Sequence, residues 1–381
     1  MNKNISVIGV GRLGLCFALT LEKSGYNVVG LDIREEYVNS LNNKTFKSPE
    51  PSVDDYLAAC ENFVATTSLD NTVNHARVLY TVVATPSLPN GRYDHSQMDS
   101  LVNSLIELGP QATQKHLVVC CTTMPGYTDT VAERLKDYNY VVSYNPEFIA
   151  QGTIIRDQAQ PDMVLIGEAN TECGDELEEH YHEMTTNEPT IARMSPLSAE
   201  IAKLSLNCFC TTKIAFANMI GDLAVRAGAE PDKILEAIGS DSRIGHKNLR
   251  YGFGYGGPCF PRDNRAIGIF AKDIDMPALI SIATDDMNRR HLSFQIDSFS
   301  EKEDKNKTYV FSNNPDYIAS EDEILVAPIT YKASTNILEE SQQMAFAYGI
   351  ADKGFSVKII DTKDVISRLS SHKNINFTFI S

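Results

Sequence analysis

The sequence lacks several patterns that identify whole classes of protein. Its eight cysteines include no Cys-x-x-Cys pair and no Cys/His spacing typical of a metal site. No apolar run has the length and composition of a membrane-spanning segment, and the amino terminus lacks the layout of a signal peptide. We therefore expect a reduced, cytoplasmic protein without a bound metal and without a membrane partner.

Positive charge is also scarce. The 381 residues include 34 lysines and arginines against 50 aspartates and glutamates, a formal net charge of −16. This excess of negative charge argues against nucleic acid or anionic lipid as a partner, because both would be repelled. A phosphate-binding site must therefore be built locally. The length allows two or three domains, and the apolar fraction of 43% is ordinary for a globular protein.

A glycine-rich loop near the amino terminus predicts such a site. Residues 4–10 have the pattern of a short strand, residues 15–23 that of a helix, and residues 27–32 that of a second strand. Between the first strand and the helix runs the sequence Gly9, Val10, Gly11, Arg12, Leu13, Gly14. A Gly-x-Gly-x-x-Gly loop in this position places a dinucleotide pyrophosphate at the amino terminus of the helix.

The end of the second strand indicates which dinucleotide is bound. Asp32 lies at the spacing expected for a carboxylate that accepts hydrogen bonds from the adenosine ribose. It would also repel a 2′-phosphate, so the pattern favours NAD over NADP. Arg34, two residues later, weakens that preference because a nearby arginine can accommodate the 2′-phosphate.

Strands and helices continue to alternate up to about residue 195. Further strands are predicted at residues 78–84, 117–121, 140–143 and 163–166. This βαβ alternation predicts a mostly parallel, doubly wound sheet, in which ligands bind at the carboxyl ends of the strands. Three strand ends carry proline-containing polar loops, at residues 84–87, 122–126 and 145–148. One such proline is an ordinary turn residue, whereas three at strand ends favour a binding site.

A long helix follows, predicted from Pro196 to about residue 226 and capped by Ser195. Lys203 and Asn207 are four residues apart and therefore project from the same side. Their small apolar neighbours favour a cleft over a solvated polar surface. A shorter helix is predicted at residues 231–238, and another covers residues 287–291.

Residues 251–263 form the most unusual segment, in which four glycines precede Cys259. Pro258 and Pro261 stiffen the loop, and Arg262 and Asp263 follow it directly. The glycines permit tight turns and a close approach to a ligand, while Arg262 would favour a thiolate. These features suggest a covalent nucleophile. The segment by itself leaves open the alternative that Cys259 is a small buried apolar residue.

The last part of the sequence predicts a second, smaller α/β unit. The charged residues 301–307 have the composition of a linker or an exposed turn. After them, strands are predicted at 308–311, 324–328, 357–361 and 376–380, and a helix is predicted at 341–351.

Taken together, these motifs resemble the UDP-glucose/GDP-mannose dehydrogenase family, and within it the branch that acts on UDP-glucose rather than UDP-N-acetylmannosamine. The resemblance covers nearly the whole chain. Its elements are residues 9–14 with Asp32, residues 50–51, 85–86, 123–125, 145–148, 202–203 with Asn207, 243–245, 254–263 and 331–332.

The resemblance implies three domains. The first is a Rossmann-like NAD-binding domain with a doubly wound sheet (residues 1–195), and the second is a central long-helix domain for dimerisation and catalysis (196–298). The third is a shortened α/β domain of the type that binds a UDP-sugar (299–381). The implied partners are a UDP-sugar substrate and a second copy of the chain, paired through the central helix as a homodimer.

The resemblance also implies the chemistry, which is the four-electron oxidation of UDP-glucose to UDP-glucuronate with two NAD and one water. Cys259 would capture the aldehyde as a thiohemiacetal and then carry a thioester. Lys203 and Asn207 would stabilise the developing oxyanion. Asp263 and Thr123 would hold the water that transfers a proton, and Glu147 would serve thioester hydrolysis.

Further residues acquire binding roles through the same resemblance. The implied NAD contacts are Gly9, Val10, Gly11, Arg12, Leu13, Gly14, Asp32, Thr85, Pro86, Thr122, Thr123, Gln151 and Arg262. The implied substrate contacts are Glu147, Phe148, Lys203, Asn207, Arg243, Asn248, Tyr251, Gly256 and Lys332.

The sequence departs from the family pattern at several positions. Gln151 replaces a glutamate near the cofactor, and Arg262 replaces a lysine. Glu339 replaces an arginine that meets the NAD pyrophosphate. If the last domain packs over the NAD site, we expect weaker cofactor binding; the alternative is that this domain lies away from the site and Glu339 is solvated. The sequence also ends where the family usually continues, hence the expected shortened last domain.

Two alternatives remain open. One is oxidation of another nucleotide hexose, such as GDP-mannose, UDP-galactose or a UDP-N-acetylhexosamine. The other is a non-catalytic sensor of NAD or UDP-sugar. The joint presence of Cys259, Lys203, Asp263 and Glu147 favours an enzyme.

Overall fold

The structure is a computed structural model that describes residues 3–369 and 377–380. The chain forms two compact units, Met1–Lys203 and Leu204–Ser381, and both are α/β. A Rossmann-like doubly wound sheet makes up the first unit, and a long helix leads into the second, which contains a smaller sheet. The predicted fold class is therefore confirmed.

The first unit alternates strands and helices throughout. Its strands are β1 (Asn4–Ile8), β2 (Asn27–Leu31), β3 (Phe63–Thr66), β4 (Val78–Thr81), β5 (Lys115–Val119), β6 (Tyr140–Tyr144), β7 (Met163–Gly167) and β8 (Thr190–Met194). Its helices are α1 (Arg12–Lys23), α2 (Glu35–Asn42), α3 (Val53–Ala59), α4 (Leu69–His75), α5 (Ser96–Glu107), α6 (Tyr127–Leu135), α7 (Ile154–Ala159), α8 (Thr171–Met184) and the start of α9 (Pro196–Ala227).

The eight strands form one sheet in the order β3-β2-β1-β4-β5-β6-β7-β8. The first six strands are parallel, as predicted, and the strand order reverses between β1 and β4. The loops after these two strands therefore lie at the point where doubly wound folds bind ligands. β7 runs antiparallel to β6 and β8 runs parallel to β7. The predicted pattern did not include this reversal.

Helices cover both faces of this sheet, so alternate residues of each strand enter two separate cores. In β1, Val7 packs into the core on one face together with Phe17 of α1, whereas Ile8 packs into the core on the other. All three side chains are nearly inaccessible to solvent. Burial on both sides explains why the strands are continuous apolar runs without a polar face.

The second unit contains the rest of α9 and a four-stranded parallel sheet in the order β10-β9-β11-β12. Its elements are α10 (Pro231–Gly239), α11 (Phe260–Asp273), α12 (Leu279–Lys302), β9 (Thr308–Ser312), β10 (Glu323–Ala327), α13 (Gln342–Asp352), β11 (Ser356–Ile360), α14 (Lys363–Leu369) and β12 (Phe377–Ile380). Aromatic side chains dominate its core, where Phe299 of α12 contacts Tyr309, Phe346 and Phe355 edge-on.

Three sequence expectations need correction or restriction here. Glu301 and Lys302 are the last residues of α12, so the predicted exposed turn at 301–307 begins later than expected. Residue 376 of the predicted strand 376–380 lies outside the described residues, and the strand itself is β12. Cys259 opens α11, a helix that the proline-rich sequence did not predict.

The expectation that no segment could span a membrane was wrong for α9. By length and composition alone this helix qualifies as a candidate membrane span. The helix is rich in alanine, leucine, isoleucine and phenylalanine, which raises its mean hydropathy. A single helix that meets this criterion is weak evidence for a membrane, because length and composition alone do not distinguish it from a helix of a soluble protein.

Candidate active site

The glycine loop after β1 has the geometry of a dinucleotide-binding turn. Gly9 has φ +94°, and a Cβ there would lie 2.4 Å from the carbonyl oxygen of Val82. A Cβ on Gly14 would lie 2.0 Å from the carbonyl oxygen of Gly9. At Gly11, which precedes the first turn of α1, no described atom lies within 4 Å of the Cβ position. The turn therefore requires glycine, and the space beside the helix amino terminus is open.

Asp32 lies just after β2, as predicted, but both of its carboxylate oxygens already have a partner. Oδ1 accepts hydrogen bonds from the backbone N–H (3.0 Å) and Nε (2.9 Å) of Arg34, and Oδ2 accepts one from Nη2 (2.9 Å). Burial raises the pKa of Asp32, but the hydrogen bonds and charge of Arg34 outweigh it and hold that pKa below its usual value. A ribose that used both oxygens would have to displace the guanidinium.

Two predicted cofactor contacts, Arg12 and Gln151, bind each other. Nη1 of Arg12 donates to Oε1 of Gln151 at 2.7 Å, and Nε of Arg12 lies 2.8 Å from the carboxylate of Glu50. Glu50 is buried and also accepts the backbone N–H of Gly152 at 2.9 Å. Glu50 therefore joins the glycine loop to the segment that follows β6. The sequence indicated Glu50 only as part of a motif.

The next two strand ends are joined by Thr85 and Thr122. The hydroxyl of Thr85 donates to the carbonyl oxygen of Thr122 at 2.8 Å, which fixes the loop after β4 against the loop after β5. Thr85 is buried and Pro86 is exposed beside it. The structure thus brings these predicted cofactor contacts to the same edge of the sheet as the glycine loop.

Asn145 anchors the segment that carries Glu147. Its backbone N–H donates to Val119 at 2.8 Å, its side-chain amide donates to Leu165 at 2.9 Å, and its side-chain oxygen accepts the Tyr181 hydroxyl at 2.7 Å. These bonds tie the end of β6 to β5, β7 and α8. The sequence analysis included Asn145 in a motif but did not predict that it anchors this segment. That role depends on contacts with residues distant in sequence.

Lys203 reaches this segment from α9. Its Nζ donates to the carbonyl oxygen of Glu147 at 2.6 Å and lies 4.2 Å from the centre of the Phe148 ring. Burial raises the pKa of Glu147 from 4.5 to about 7, although the Lys203 ammonium acts in the opposite direction. A carboxyl group with a pKa near neutrality can exchange a proton at physiological pH, as a general acid or base must.

Thr123 is fully buried at the end of β5, beside a carboxylate that the sequence prediction missed. Its hydroxyl donates to Oε1 of Glu200, in the second turn of α9, at 2.9 Å. Glu200 is also fully buried. In the sequence it was one acidic residue near the start of a long helix, three positions before Lys203, and its burial could not be recognised from that pattern.

The second unit holds the cysteine segment. Cys259 is exposed and occupies the cap position of α11, where the positive end of the helix would stabilise a thiolate. This exposure argues against the alternative that Cys259 is a buried apolar residue. Asp263, in the first turn, is buried and accepts a hydrogen bond from Nδ2 of Asn207 at 2.6 Å. Nε of Arg262 lies 3.5 Å from the other oxygen of the same carboxylate.

The glycines before Cys259 are required by contacts with the chain itself. Gly257 has φ +82°, and a Cβ there would lie 2.5 Å from the ring of Tyr331. A Cβ on Gly256 would lie 2.2 Å from the carbonyl oxygen of Glu340. The N–H of Gly257 also donates to the carbonyl oxygen of Glu339 at 3.1 Å. The sequence analysis expected these glycines to approach a ligand, whereas the close neighbours in the structure are protein atoms.

Several predicted substrate contacts are exposed or are hydrogen-bonded to other residues of the chain. Arg243 is exposed and its guanidinium is paired with Asp241 at 2.7 and 3.0 Å. Asn248 (φ +60°) and Lys332 are exposed, and the Tyr251 hydroxyl donates to Asp222 at 2.9 Å. Their roles, like those of the other site residues, stay predictions.

Comparison with known proteins gives the family. Residues 3–185 match the NAD binding domain of the UDP-glucose/GDP-mannose dehydrogenase family, and residues 197–290 match its central domain. A UDP-glucose 6-dehydrogenase of Pseudomonas aeruginosa is 31% identical, over 78% of this chain and 68% of the relative. The chain belongs to the UDP-glucose/GDP-mannose dehydrogenase family.

The relatives within the UDP-glucose/GDP-mannose dehydrogenase family differ in substrate. A GDP-mannose 6-dehydrogenase of Pseudomonas savastanoi pv. phaseolicola is 28% identical, over 96% of this chain and 82% of the relative. A solved UDP-glucose dehydrogenase from Pyrobaculum islandicum shares the fold, with a TM-score of 0.83, 24% identity, and coverage of 99% of this chain and 86% of that one. As a member of this family, the chain is a nucleotide-sugar 6-dehydrogenase that uses NAD as its cofactor.

The first unit fits NAD on structural grounds as well. The turn at Gly9 and Gly14 leaves open space beside the amino terminus of α1, where free N–H groups can bind a pyrophosphate. Asp32 lies at the end of the adjacent strand, where the adenosine ribose is held in this fold. Arg12 supplies a cation at the first position of the helix.

Proposed function

We propose that this protein oxidises the hydroxymethyl group of UDP-glucose to a carboxylate, which makes UDP-glucuronate, through a covalent intermediate on Cys259. The observation that carries the proposal is the exposed Cys259 at the amino terminus of α11, one turn before a buried carboxylate held by Asn207. An alcohol dehydrogenase that stops at the aldehyde has no need of a nucleophilic thiol.

The first oxidation needs a base for the hydroxyl proton and a positive environment for the oxygen. NAD, when bound, would supply the hydride acceptor for both oxidations. In our proposal a water held by Thr123 and Asp263 takes the hydroxyl proton, while Lys203 and Asn207 donate hydrogen bonds to the substrate oxygen. Lys203 is suited to this role because its ammonium is mostly buried, so little water screens its charge.

The second stage depends on Cys259 and Glu147. The thiolate sulphur bonds to the aldehyde carbon to give a thiohemiacetal, and the second hydride transfer converts it to a thioester. A water then attacks the thioester carbon, Glu147 accepts a proton from that water, and the carbon–sulphur bond breaks to release the acid and the Cys259 thiolate. A pKa of about 7 for Glu147 suits a base that must take up and release a proton in each cycle.

We further propose that α9 pairs two copies of the chain as a homodimer. Phe209, Phe216 and Leu223 recur every seven residues and are 67%, 42% and 63% exposed. Residues at this spacing form one stripe along a helix, and an apolar stripe of this kind is stabilised by a partner helix. The domain limits 1–195, 196–298 and 299–381 are proposed together with this arrangement.

Phe209→Glu should shift the mass measured by multi-angle light scattering from dimer to monomer. Glu107→Gln, on the exposed surface of α5, is a control that should leave the mass unchanged. A wild-type protein that is monomeric at all concentrations would contradict the dimer.

A substrate panel tests the proposed function. NADH absorbance is followed with NAD and, in turn, UDP-glucose, GDP-mannose, UDP-galactose and a UDP-N-acetylhexosamine. We expect the highest kcat/KM with UDP-glucose. A higher kcat/KM with another nucleotide sugar would contradict the proposed substrate but not the proposed reaction chemistry. Binding of NAD and UDP-glucose without NADH formation from any sugar would instead support the sensor.

A further inference from the structure

Glu200 is a buried carboxylate outside the predicted site, and its hydrogen-bond partners among the described residues are all donors. Oε1 accepts the hydroxyl of Thr123 (2.9 Å), the hydroxyl of Thr128 (2.7 Å) and the backbone N–H of Thr128 (2.9 Å). Oε2 accepts the backbone N–H of Gly126 at 2.6 Å. Its residue is fully buried, so these contacts replace solvent.

Part of this arrangement has an ordinary structural purpose. Gly126 and Thr128 lie at the amino terminus of α6, and their N–H groups have no partner within the helix. A carboxylate there satisfies them and interacts favourably with the positive end of the helix. Burial raises the pKa of Glu200 above its usual value, and the hydrogen bonds from Thr128, Gly126 and Thr123 offset only part of that rise.

The bond from Thr123 is not explained by helix capping, since Thr123 precedes α6 by several residues. A hydroxyl has one proton and two lone pairs, and an ionised carboxylate only accepts. The Thr123 hydroxyl therefore donates its one proton to Glu200, and toward any other group it can act only as an acceptor.

We propose that Glu200 is a positioning residue that fixes Thr123 as a hydrogen-bond acceptor toward the reacting groups. The inference rests on the proposed function, in which Thr123 holds the water that takes the substrate hydroxyl proton. A water that donates to Thr123 keeps its lone pairs for that proton. A water that accepted from Thr123 would have one lone pair occupied and would be a weaker base.

Glu200→Gln reverses this polarity, with little change in shape, in the amide orientation that places the NH₂ group at the Oε1 position. Either orientation of the amide leaves one backbone N–H of the α6 terminus facing an NH₂ group, and an NH₂ at the Oε1 position would donate to Thr123. The hydroxyl of Thr123 would then turn its proton toward the site. Thr128→Ala is the matched control, because it removes a donor to Glu200 and disturbs the same helix end without touching Thr123.

The experiment measures kcat, KM and melting temperature for wild type, Glu200→Gln, Thr123→Val and the double variant. We expect Glu200→Gln to lower kcat at least tenfold, with KM for the nucleotide sugar within about twofold, whereas Thr128→Ala lowers only the melting temperature. In the Thr123→Val background, Glu200→Gln should lower kcat no further. Additive losses, or equal losses of kcat in Glu200→Gln and Thr128→Ala, would overturn the proposal.

Two further measurements keep the result decisive. If Glu200→Gln does not fold, Glu200→Asp takes its place, because it retains the charge but moves the carboxylate away from Thr123. An unchanged kcat in Thr123→Val would by itself overturn the proposal. If the wild type oxidises no nucleotide sugar, the proposed function has failed on its own. The hydrogen bond is then tested by non-additive melting shifts of Glu200→Gln and Thr123→Val, and additive shifts would contradict it.

Discussion

Glu147 gives the sharpest prediction, because its burial affects stability and chemistry in opposite ways. The pKa of this carboxyl group is about 7 in the folded chain and near 4.5 when exposed. Between these values the folded state holds a proton that the unfolded state has lost. The free energy of unfolding should therefore fall as the pH rises through this window, and the loss is complete above the folded pKa.

The change in the free energy of unfolding follows from the difference between the two pKa values of Glu147. A pKa difference of one unit corresponds to about 1.4 kcal/mol, so the ionised carboxylate costs the fold about 3 kcal/mol at pH 8. Glu147→Gln copies the shape of the protonated acid and cannot ionise. We expect it to be more stable than wild type by an amount that grows by about 2–3 kcal/mol from pH 5 to pH 8, or about 5–10 °C in melting temperature.

Differential scanning calorimetry at the two pH values measures this difference, with Glu107→Gln as the control for removal of an exposed carboxylate. The same Glu147→Gln protein should release acid far more slowly than it forms NADH in the first turnover. A stability gain of equal size at pH 5 and pH 8 would refute the reasoning, because it would show that ionisation of Glu147 does not oppose folding.

Four further changes test other parts of the structure. Cys259→Ala should abolish acid formation and leave NAD affinity, measured by fluorescence titration, unchanged. Lys203→Ala should lower kcat by about 10²–10³ and raise the pH midpoint of thioester hydrolysis, because the ammonium that lowers the pKa of Glu147 is lost. Arg34→Ala should tighten NAD binding several-fold at low salt, by about 0.2–1 kcal/mol, because Asp32 regains its oxygens. Gln158→Met should stabilise the fold by about 1 kcal/mol, since Gln158 is buried and neither amide atom has a hydrogen-bond partner among the described residues.

Each of these has a contrary result. Acid production by the Cys259 variant would exclude a covalent role, and an unchanged pH midpoint in the Lys203 variant would deny its electrostatic link to Glu147. Weaker NAD binding after loss of Arg34 would show that the guanidinium contacts the cofactor. A destabilised Gln158 variant would indicate a hydrogen bond to an ordered water.

The nucleotide-binding half of the fold could be predicted because its signals are local. The strand, the glycine turn and Asp32 follow one another within thirty-two residues, and the structure places each as expected. The bounds of β1 and β4 were predicted too long, because the apolar pattern continues into the loops that follow. Strand direction is not encoded in apolar pattern at all. β7 is as apolar as β6, yet it pairs antiparallel with it through Tyr144 and Gly167.

The parts of the candidate site that sequence reasoning missed depend on contacts distant in sequence. Glu50 contacts residues about a hundred positions later, and Glu200 contacts Thr123 across seventy-seven positions. The burial of neither residue has a local signal, because one buried acid looks the same in a sequence as one exposed acid. Conversely, Arg243 and Lys332 belong to the family motifs, yet their side chains are exposed.

The central claim is a four-electron oxidation through Cys259, and counting NADH tests it most directly. A limiting, known amount of UDP-glucose is incubated with the enzyme and excess NAD until absorbance stops rising, and the product is identified by mass spectrometry. The account predicts about two NADH per sugar, as two hydride transfers require, with UDP-glucuronate as the only product. One NADH per sugar, with the aldehyde accumulating in solution, would contradict it.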